Sequence, residues 1–208
     1  ALPEPRRPAL AGCRVLLLQD HPCCGTETSI RAALAALGAR LADAGVRVEH
    51  ASALMPDLAA AQSIYFDMLQ AVTSRGDPQA GPPISAHAWM ALLDAQARLR
   101  RRWQALFRDA PFDAVLMPPF GTTAFVHFDE PDVDRRVLAI DGAERPYAEQ
   151  LAWPAVATLA GLPATVAPIA RDAVGLPIGV QVMGPYLGDR TTIALAGAIA
   201  ALGHAVPA

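Results

Sequence analysis

The apolar run at residues 13–19 (CRVLLLQ) limits the fold of this chain more than any other feature. Such a run is typical of a strand that is buried on both faces of a sheet. It is followed by cap-forming residues at 26–29, by a helical apolar stripe from Ile30 to Leu41, and by a second strand pattern at 46–50. The connection is long enough for a parallel crossover, so the segment predicts a strand, helix, strand unit of an α/β fold.

The rest of the chain alternates between helical and strand patterns. The clearest helix has apolar residues at helical spacing from Ile84 to Leu106, and Pro111 stops its continuation. The other predicted elements are helices at about 57–75 and 147–160, strands at 113–117, 164–167 and 178–183, a hairpin at 137–142, and a last helix from Asp189. This order predicts α/β architecture with a mixed, mainly parallel sheet flanked by helices, in a single domain over residues 1–208.

The bulk composition excludes several classes of protein. With 208 residues, of which 53% are hydrophobic, the chain can bury one contiguous core. Its formal charge of -3 supplies no overall field that would hold nucleic acid. The apolar runs are too short for a bilayer-spanning helix, the first residues lack the apolar core of a secretory signal, and three cysteines give no disulfide framework. We therefore expect a cytoplasmic protein without nucleic-acid or membrane partners.

Local clusters of reactive residues are weak candidates for chemistry. His21, Cys23 and Cys24 suggest zinc, but adjacent cysteines fit one tetrahedral site poorly, so we favour buried thiols. The same loop enters a helix N-terminus, yet it lacks the glycine pattern of nucleotide-binding loops. Ser85 and His87 lie two positions apart on a predicted helix and would point to different faces. We expect neither a metal nor a cofactor.

Two clusters of charged residues are interpreted as solvated surface. Five arginines scatter around the predicted helix, so they do not form one binding face. They are Arg98, Arg100, Arg101, Arg102 and Arg108. The acidic stretch 129–134 contains Pro131 and precedes Arg135 and Arg136, which favours an exposed, internally paired loop over a metal site.

Three blocks in the second half of the chain resemble the C-terminal part of the amidase signature enzymes. Residues 112–119 (FDAVLMPP) look like a late strand that ends in proline, and residues 140–164 (from IDGAERPY to GLPA) look like a hairpin, a helix and a turn. Residues 175–190 (GLPIGVQVMGPYLGDR) match the final hairpin strand and the start of the last helix. Three blocks in the right order are specific, whereas one Gly-Leu-Pro would not be. Departures occur at Thr158, where many members carry Asn, and after Pro168.

The resemblance implies an amidase that hydrolyses C–N amide bonds of small molecules through a serine acyl-enzyme. Members of the family use a serine, a cis-linked serine and a lysine on an earlier stretch of chain, with backbone amides of a Gly/Ser-rich loop as the oxyanion hole. This sequence has no lysine, and none of its serines lies in such a loop. We therefore expect no catalytic residue in this chain and no activity from it alone, with the reactive groups on a missing N-terminal segment or on a partner chain.

The loop at residues 119–125 (PFGTTAF) is the predicted contribution to a substrate pocket for a small-molecule amide. In the family the corresponding loop faces the catalytic serine. Its side chains can hold an apolar acyl or aryl group and hydrogen-bond a polar one. The predicted substrate-binding residues are Pro119, Phe120, Gly121, Thr122, Thr123 and Phe125. The alternative is an ordinary apolar loop under the hairpin.

A second interpretation of the whole chain is a non-catalytic, stand-alone binding or scaffold module derived from the same fold. The two interpretations differ in the exposed surface. Part of a larger sheet should present an apolar edge or face and tend to form homo-oligomers, whereas a module should have that edge blunted.

Overall fold

The computed structural model describes residues 1–7, 9–77 and 81–204 and is built around a five-stranded sheet. The strands are β1 (Arg14–Leu17), β2 (Arg47–Glu49), β3 (Ala114–Met117), β4 (Val137–Ile140), β5 (Ala143–Pro146), β6 (Ala164–Arg171) and β7 (Pro177–Met183). The helices are α1 (Thr28–Asp43), α2 (Leu58–Thr73), α3 (Ala86–Asp109), α4 (Ala152–Ala160) and α5 (Asp189–His204), and short 3-10 turns lie at Val133–Arg135 and Tyr147–Leu151.

The sheet is mixed, with strand order β2-β1-β3-β7-β6. Strand β1 pairs in parallel with β2 and β3, whereas β7 pairs antiparallel with β3 and β6. This confirms the predicted α/β architecture of a mixed sheet with flanking helices. Both parallel pairs involve β1, the first strand of the predicted strand, helix, strand unit. Both antiparallel pairs involve β7 of the β6–β7 hairpin. Strands β4 and β5 form a separate hairpin.

Helices cover both faces of the sheet. One apolar cluster joins α1 and α5 to Val15 and Leu17 of β1, and the other joins α3 and α4 to Leu16, which points to the opposite face. Because successive side chains of a strand alternate between faces, a strand inside such layers must be apolar throughout, as the run in β1 predicted. No helix within the described ranges is long and apolar enough to cross a membrane.

The N-terminus of α1 is capped by a residue that is distant in the sequence. The local residues were expected to supply the cap, but Glu27 occupies the N-cap position without a side-chain cap bond. Instead, the Asp141 carboxylate accepts the Thr28 backbone N–H at 3.0 Å and the Thr28 hydroxyl at 2.8 Å. Asp141 and Gly142 form the β4–β5 turn with φ of 49° and 80°, a geometry typical of tight hairpins. The β4–β5 hairpin, and not the local residues, therefore caps α1, and the same hydrogen bonds anchor the hairpin.

The predicted helix at 147–160 consists of two pieces. A 3-10 turn precedes α4, and Pro154 lies in the first turn of α4, where proline is tolerated because its N–H has no helical partner to lose. The C-terminus of α4 receives two side chains from α3: Arg100 Nε donates to the Ala160 carbonyl at 3.0 Å, and Gln96 Nε2 donates to the Leu159 carbonyl at 2.9 Å. These contacts fix α4 beneath the loops that follow β1 and β3.

Candidate functional site

A groove of about 370 Å³ opens at the carboxyl end of β3, where residues 119–125 leave the sheet. Because β1 and β3 are parallel, the loops that follow them meet at this edge of the sheet. Strand β7 is antiparallel to β3, so its first residues reach the same edge and contribute Ile178 and Gly179 to the groove. The groove is therefore assembled from the loop after β3, the start of β7, Tyr147 and Ile30 of α1.

The structure brings five of the six predicted loop residues together in the groove. They are Pro119, Phe120, Thr122, Thr123 and Phe125. The sixth, Gly121, is buried behind the groove, where its N–H donates to Gln150 Oε1 at 2.8 Å. Gly121 thus acts as an anchor of the loop and does not line the space that a ligand would occupy.

Gly121 is fixed by close contacts on both sides of its backbone. Its carbonyl accepts the Glu27 N–H at 2.8 Å, and the same Gln150 side chain that binds its N–H also donates to the Gly25 carbonyl at 2.9 Å. A Cβ atom at position 121 would lie 2.3 Å from Gln150 Oε1 and from the Gly25 carbonyl oxygen. Only glycine therefore fits between the loops that follow β1 and β3.

Two carboxylates hold the threonines of the loop. Thr122 Oγ1 donates to Glu27 Oε1 at 2.7 Å, and Thr123 Oγ1 donates to Asp172 Oδ2 at 3.0 Å. Asp172 lies in the β6–β7 turn, where its Oδ1 accepts the N–H groups of Val174 and Leu176. The loop is thereby tied to α1 on one side and to the β6–β7 turn on the other, so its side chains are positioned before any ligand arrives.

Burial opposes ionisation of Asp172, but hydrogen bonds outweigh it. The donors are the Leu176 N–H, the Thr123 hydroxyl and the N–H groups of Val174 and Gly175, and together they lower the pKa of Asp172 below its usual value. Asp172 is therefore a carboxylate at neutral pH, and the hydrogen bond from Thr123 has a fixed direction.

Aromatic side chains form one wall of the groove. The rings of Phe120 and Phe125 stack with centroids 5.9 Å apart, and Tyr147 lies 6.2 Å from each of them. Phe128 extends the cluster, 5.4 Å from Phe125 and from Tyr147. Such offset contacts hold the rings in a fixed arrangement. The described residues that line the groove include aromatic, aliphatic and threonine side chains but no charged one.

The edge strand β6 exposes an apolar side chain beside the groove. On β6, the outward-facing Val166 is 54% exposed, whereas the neighbouring Ala167 faces α5 and is buried. Gln181, the cross-strand partner of Val166, is largely buried, and its Nε2 has no hydrogen-bond partner. Val126, which follows the loop, is 86% exposed. An edge strand with exposed apolar side chains is open to contact with another part of a protein or with another chain.

The cluster of His21, Cys23 and Cys24 has the features of a packed loop. Burial raises the pKa of Cys24 to about 12 and also raises the pKa of Cys23, so both thiols are protonated at neutral pH. His21 Nδ1 accepts the Cys23 N–H at 3.1 Å. The rings of His21 and Trp153 pack in a T-shaped arrangement, with their centroids 5.3 Å apart. No group of three or more potential metal ligands occurs within residues 1–7, 9–77 and 81–204.

Acidification is expected to destabilise the protein through His21. The imidazole is 7% exposed, and its burial lowers its pKa from 6.5 to about 4. Since the unfolded state binds the proton more readily, stability is fully present above pH 6.5 and is lost as the pH falls toward 4. We expect the free energy of unfolding to fall by about 2 kcal/mol from this group between pH 7.5 and pH 5.

Urea unfolding at several pH values measures this loss, and two variants separate His21 from the other histidines. His21→Gln should flatten the pH dependence between 5 and 7.5, whereas replacement of the exposed His87 by glutamine should leave it unchanged. An unchanged slope in His21→Gln would contradict the assignment.

The remaining sequence candidates have structural roles. Ser85 lies at the N-cap of α3 and not inside the helix, and its hydroxyl oxygen accepts the Ala88 N–H at 3.1 Å. The five arginines of α3 are exposed. The acidic loop is internally paired as predicted, because Arg136 Nε donates to the Glu130 carbonyl and Arg135 pairs with the Glu130 carboxylate at 3.6 Å.

A larger cavity of about 500 Å³ lies between the second half of α2 and the start of α3. Asp67 is the one ionisable residue among its described lining residues. Chemistry on a bound molecule requires several polar groups that converge on one point. The groove beside β3, which combines fixed hydroxyls with an aromatic wall, is therefore the better candidate site.

Sequence reasoning missed the residues that hold the loop in place. The sequence pattern indicates Glu27 only as a cap residue of the first helix. Tyr147 lies in the block at residues 140–164 that resembles the family, but the resemblance predicts no role for it in the groove. Gln150 and Asp172 gave no local signal, because their partners are distant in the sequence. The buried side chain of Gln150 in an otherwise apolar segment is the feature that could have suggested a polar anchor.

A profile of the Amidase family matches residues 81–193, which is more than half of the chain and includes β3, the groove loop and β7. The chain belongs to the amidase signature family. A curated relative is a glutamyl-tRNA(Gln) amidotransferase subunit from Leptospira interrogans (serogroup Icterohaemorrhagiae, serovar copenhageni, strain Fiocruz L1-130). It is 29% identical over 108 residues, an alignment that covers 52% of this chain and 20% of that protein.

Solved structures share the fold of this amidase family chain. One described as an amidase superposes with a TM-score of 0.72 at 18% identity, covering 97% of this chain and 47% of that chain. Fatty acid amide hydrolase superposes with a TM-score of 0.71 at 13% identity, covering 97% of this chain and 41% of that chain. The chain therefore spans less than half the length of these solved relatives.

Proposed function

We propose that this chain is the C-terminal portion of an amidase that hydrolyses C–N amide bonds of small molecules through a serine acyl-enzyme. In this proposal the loop at residues 119–125 forms part of the substrate pocket, and the nucleophile, the relay serine and the lysine lie on another segment or on a partner chain. The isolated chain is inactive, and the reaction needs no metal or organic cofactor.

The observation that carries the proposal is an open groove beside an exposed valine of the edge strand β6. Phe125 at the groove is 43% exposed, and Val166, which lies against Gly179 of the groove, is 54% exposed. Apolar surface of this kind beside a pocket is a typical site for another part of a protein.

The groove would contribute binding and orientation to the reaction. Amide hydrolysis requires an activated nucleophile, a proton donor for the leaving amine, and donors aimed at the oxyanion. A groove that holds the apolar part of the substrate against Phe120, Phe125 and Tyr147 fixes the amide carbonyl relative to those groups. The four hydrogen bonds that anchor residues 121–123 make this wall rigid.

The proposal is tested by comparing amide hydrolysis by this chain alone and by the product of the complete gene or operon to which it belongs. With 4-nitroacetanilide as substrate, we expect no turnover above buffer for the chain alone. We expect turnover when a segment with a lysine and a Gly/Ser-rich loop is present in the same polypeptide or is co-expressed.

A groove variant links that activity to this part of the protein. Phe120→Ala should raise KM in the active assembly with a smaller effect on kcat, because it removes binding surface and no reacting group. Turnover by the chain alone that survives repurification would overturn the assignment of the reactive groups. An assembly that contains the lysine and the serine loop but hydrolyses no amide would overturn the proposed activity and favour a non-catalytic module.

A further inference from the structure

We propose that a second groove, between the start of α2 and the middle of α3, binds a small organic carboxylate with an aryl or other apolar body, and that Arg98 and Arg102 hold its carboxylate. This helical groove has a volume of about 330 Å³ and shares no described lining residue with the groove beside β3. The proposal therefore goes beyond the amide hydrolysis proposed above and does not depend on it.

The helical spacing of two arginines places them at this groove. Arg98 and Arg102 lie four residues apart on α3, so their side chains leave the same face of the helix. The structure brings this face against α2, and both side chains line the helical groove. Arg101 is also exposed but is not among the described lining residues. Two of the five arginines of α3 thus meet at one groove.

Neither of these guanidinium groups has a partner in the protein. Within the described ranges, no hydrogen bond or ion pair involves Arg98 or Arg102, whereas Arg100 is bonded to a carbonyl of α4 and Arg108 to an adjacent carboxylate. Each unpaired guanidinium can therefore reach an anion in the groove by rotation of its flexible stem, without losing an existing bond. Like charges four residues apart on a helix repel each other, and a bound anion would relieve that repulsion.

The acidic side chain at the groove does not neutralise the arginines. Asp57 is the N-cap of α2, and its Oδ1 accepts the N–H groups of Ala59 and Ala60 at 2.9 Å and 3.0 Å. In the part of the chain that the structure describes, no ion pair joins either arginine to Asp57 or to Asp94, which precedes Arg98 by one helical turn. Both positive charges remain available to a ligand.

The apolar floor of the helical groove defines the rest of the ligand. The floor is formed by Ala60, Ala61, Ile64, Ala95 and Leu99. These side chains carry no hydrogen-bond donor or acceptor, so they suit the apolar body of a ligand and leave its polar group to the arginines. A planar guanidinium binds a carboxylate through two parallel hydrogen bonds, which favours an organic carboxylate as the occupant.

The test compares three probes on the full chain. Benzoate carries a charge and a ring, benzamide has nearly the same shape without the charge, and acetate has the charge without the ring. Their dissociation constants are measured at low salt by titration of ¹H–¹⁵N spectra, with the signals of α2 and α3 beside the groove as the reporters. We expect benzoate to bind at least about tenfold more tightly than either of the other probes.

Three variants and one control assign this preference to the arginines. Arg98→Gln and Arg102→Gln should each weaken benzoate binding by about tenfold and leave benzamide within about twofold. Arg102→Lys keeps the charge but loses the planar pair of donors, so it should weaken benzoate less than Arg102→Gln does. Arg101→Gln removes the same charge from an exposed arginine outside the groove and should leave benzoate within about twofold.

Three results would overturn the inference: benzoate that binds no more tightly than benzamide, an equal loss of benzoate affinity in Arg101→Gln, or no change in the signals of α2 and α3. Acetate that matches benzoate would also overturn it, because the apolar floor would then contribute nothing. These measurements do not involve amide hydrolysis, so a failure here leaves the proposed function unaffected.

Discussion

Trp153→Ala is expected to lower the free energy of unfolding by about 4 kcal/mol, because it removes a fully buried indole and leaves a cavity. Trp153 packs in the core beneath the loops that form the groove. Its Nε1–H donates to Thr26 Oγ1 at 3.0 Å, and its ring contacts His21. The truncation therefore also leaves the buried hydroxyl of Thr26 without its donor. Urea unfolding followed by circular dichroism measures the change through the midpoint at constant m.

Two variants separate the contributions at Trp153. Trp153→Phe retains most of the apolar volume and loses the hydrogen bond, so we expect a loss of about 1 to 2 kcal/mol. Trp89→Ala, at a half-exposed position of α3, is the matched truncation and should cost less than about 1 kcal/mol. A loss below about 1 kcal/mol in Trp153→Ala would show that this residue does not support the groove as described.

Gly121→Ala is expected to lower the free energy of unfolding by about 3 kcal/mol and to displace the loop that lines the groove. The added Cβ would lie 2.3 Å from Gln150 Oε1 and from the Gly25 carbonyl oxygen, so the loop or the Gln150 side chain must move. Movement breaks the bond between Gly121 and Gln150, and it shifts the adjacent threonines away from Glu27 and Asp172. The same unfolding measurement reports the loss of stability, and ¹H–¹⁵N spectra report the displacement of residues 119–125.

Gly197→Ala is the control for the loss of glycine itself. Apart from its chain neighbours and the nearby backbone of α5, no heavy atom lies within 4 Å of the position that a Cβ would take at Gly197. Alanine should therefore be neutral or stabilise the helix by up to about 1 kcal/mol. If Gly121→Ala kept the wild-type free energy of unfolding and the wild-type spectrum of residues 119–125, the loops that follow β1 and β3 would be free to separate. That result would contradict the rigid groove.

The elements of the fold were predictable because their signals are local. The apolar run of β1, the stripe of α1 and the apolar spacing of α3 reflect burial that repeats along one element, so period and length reveal them. The β4–β5 hairpin followed from Asp141-Gly142, which suits a two-residue turn with positive φ. The share of parallel pairing was less accessible, since the local β6–β7 hairpin places β7 antiparallel to β3, which lies far earlier in the chain.

The candidate site was predictable only as a loop. The position of residues 119–125 after a buried strand, together with their resemblance to the family, identified five residues that line the groove. The sixth, Gly121, turned out to be an anchor because Gln150 and Gly25 press against it from other elements. Glu27 and Asp172 could not be assigned to the site, since carboxylates on a helix cap and in a turn have ordinary local roles.

The sequence by itself determined the layered α/β class and most of its strands and helices, because these depend on patterns that repeat within short stretches of chain. Its three motif blocks indicated the amidase family by resemblance. Only the tertiary structure decided how the groove loop is held. Hydrogen bonds between Thr122 and Glu27, and between Thr123 and Asp172, join residues 95 and 49 positions apart. Their direction follows from which group is a carboxylate and from where the strands bring it, and no local pattern encodes that meeting.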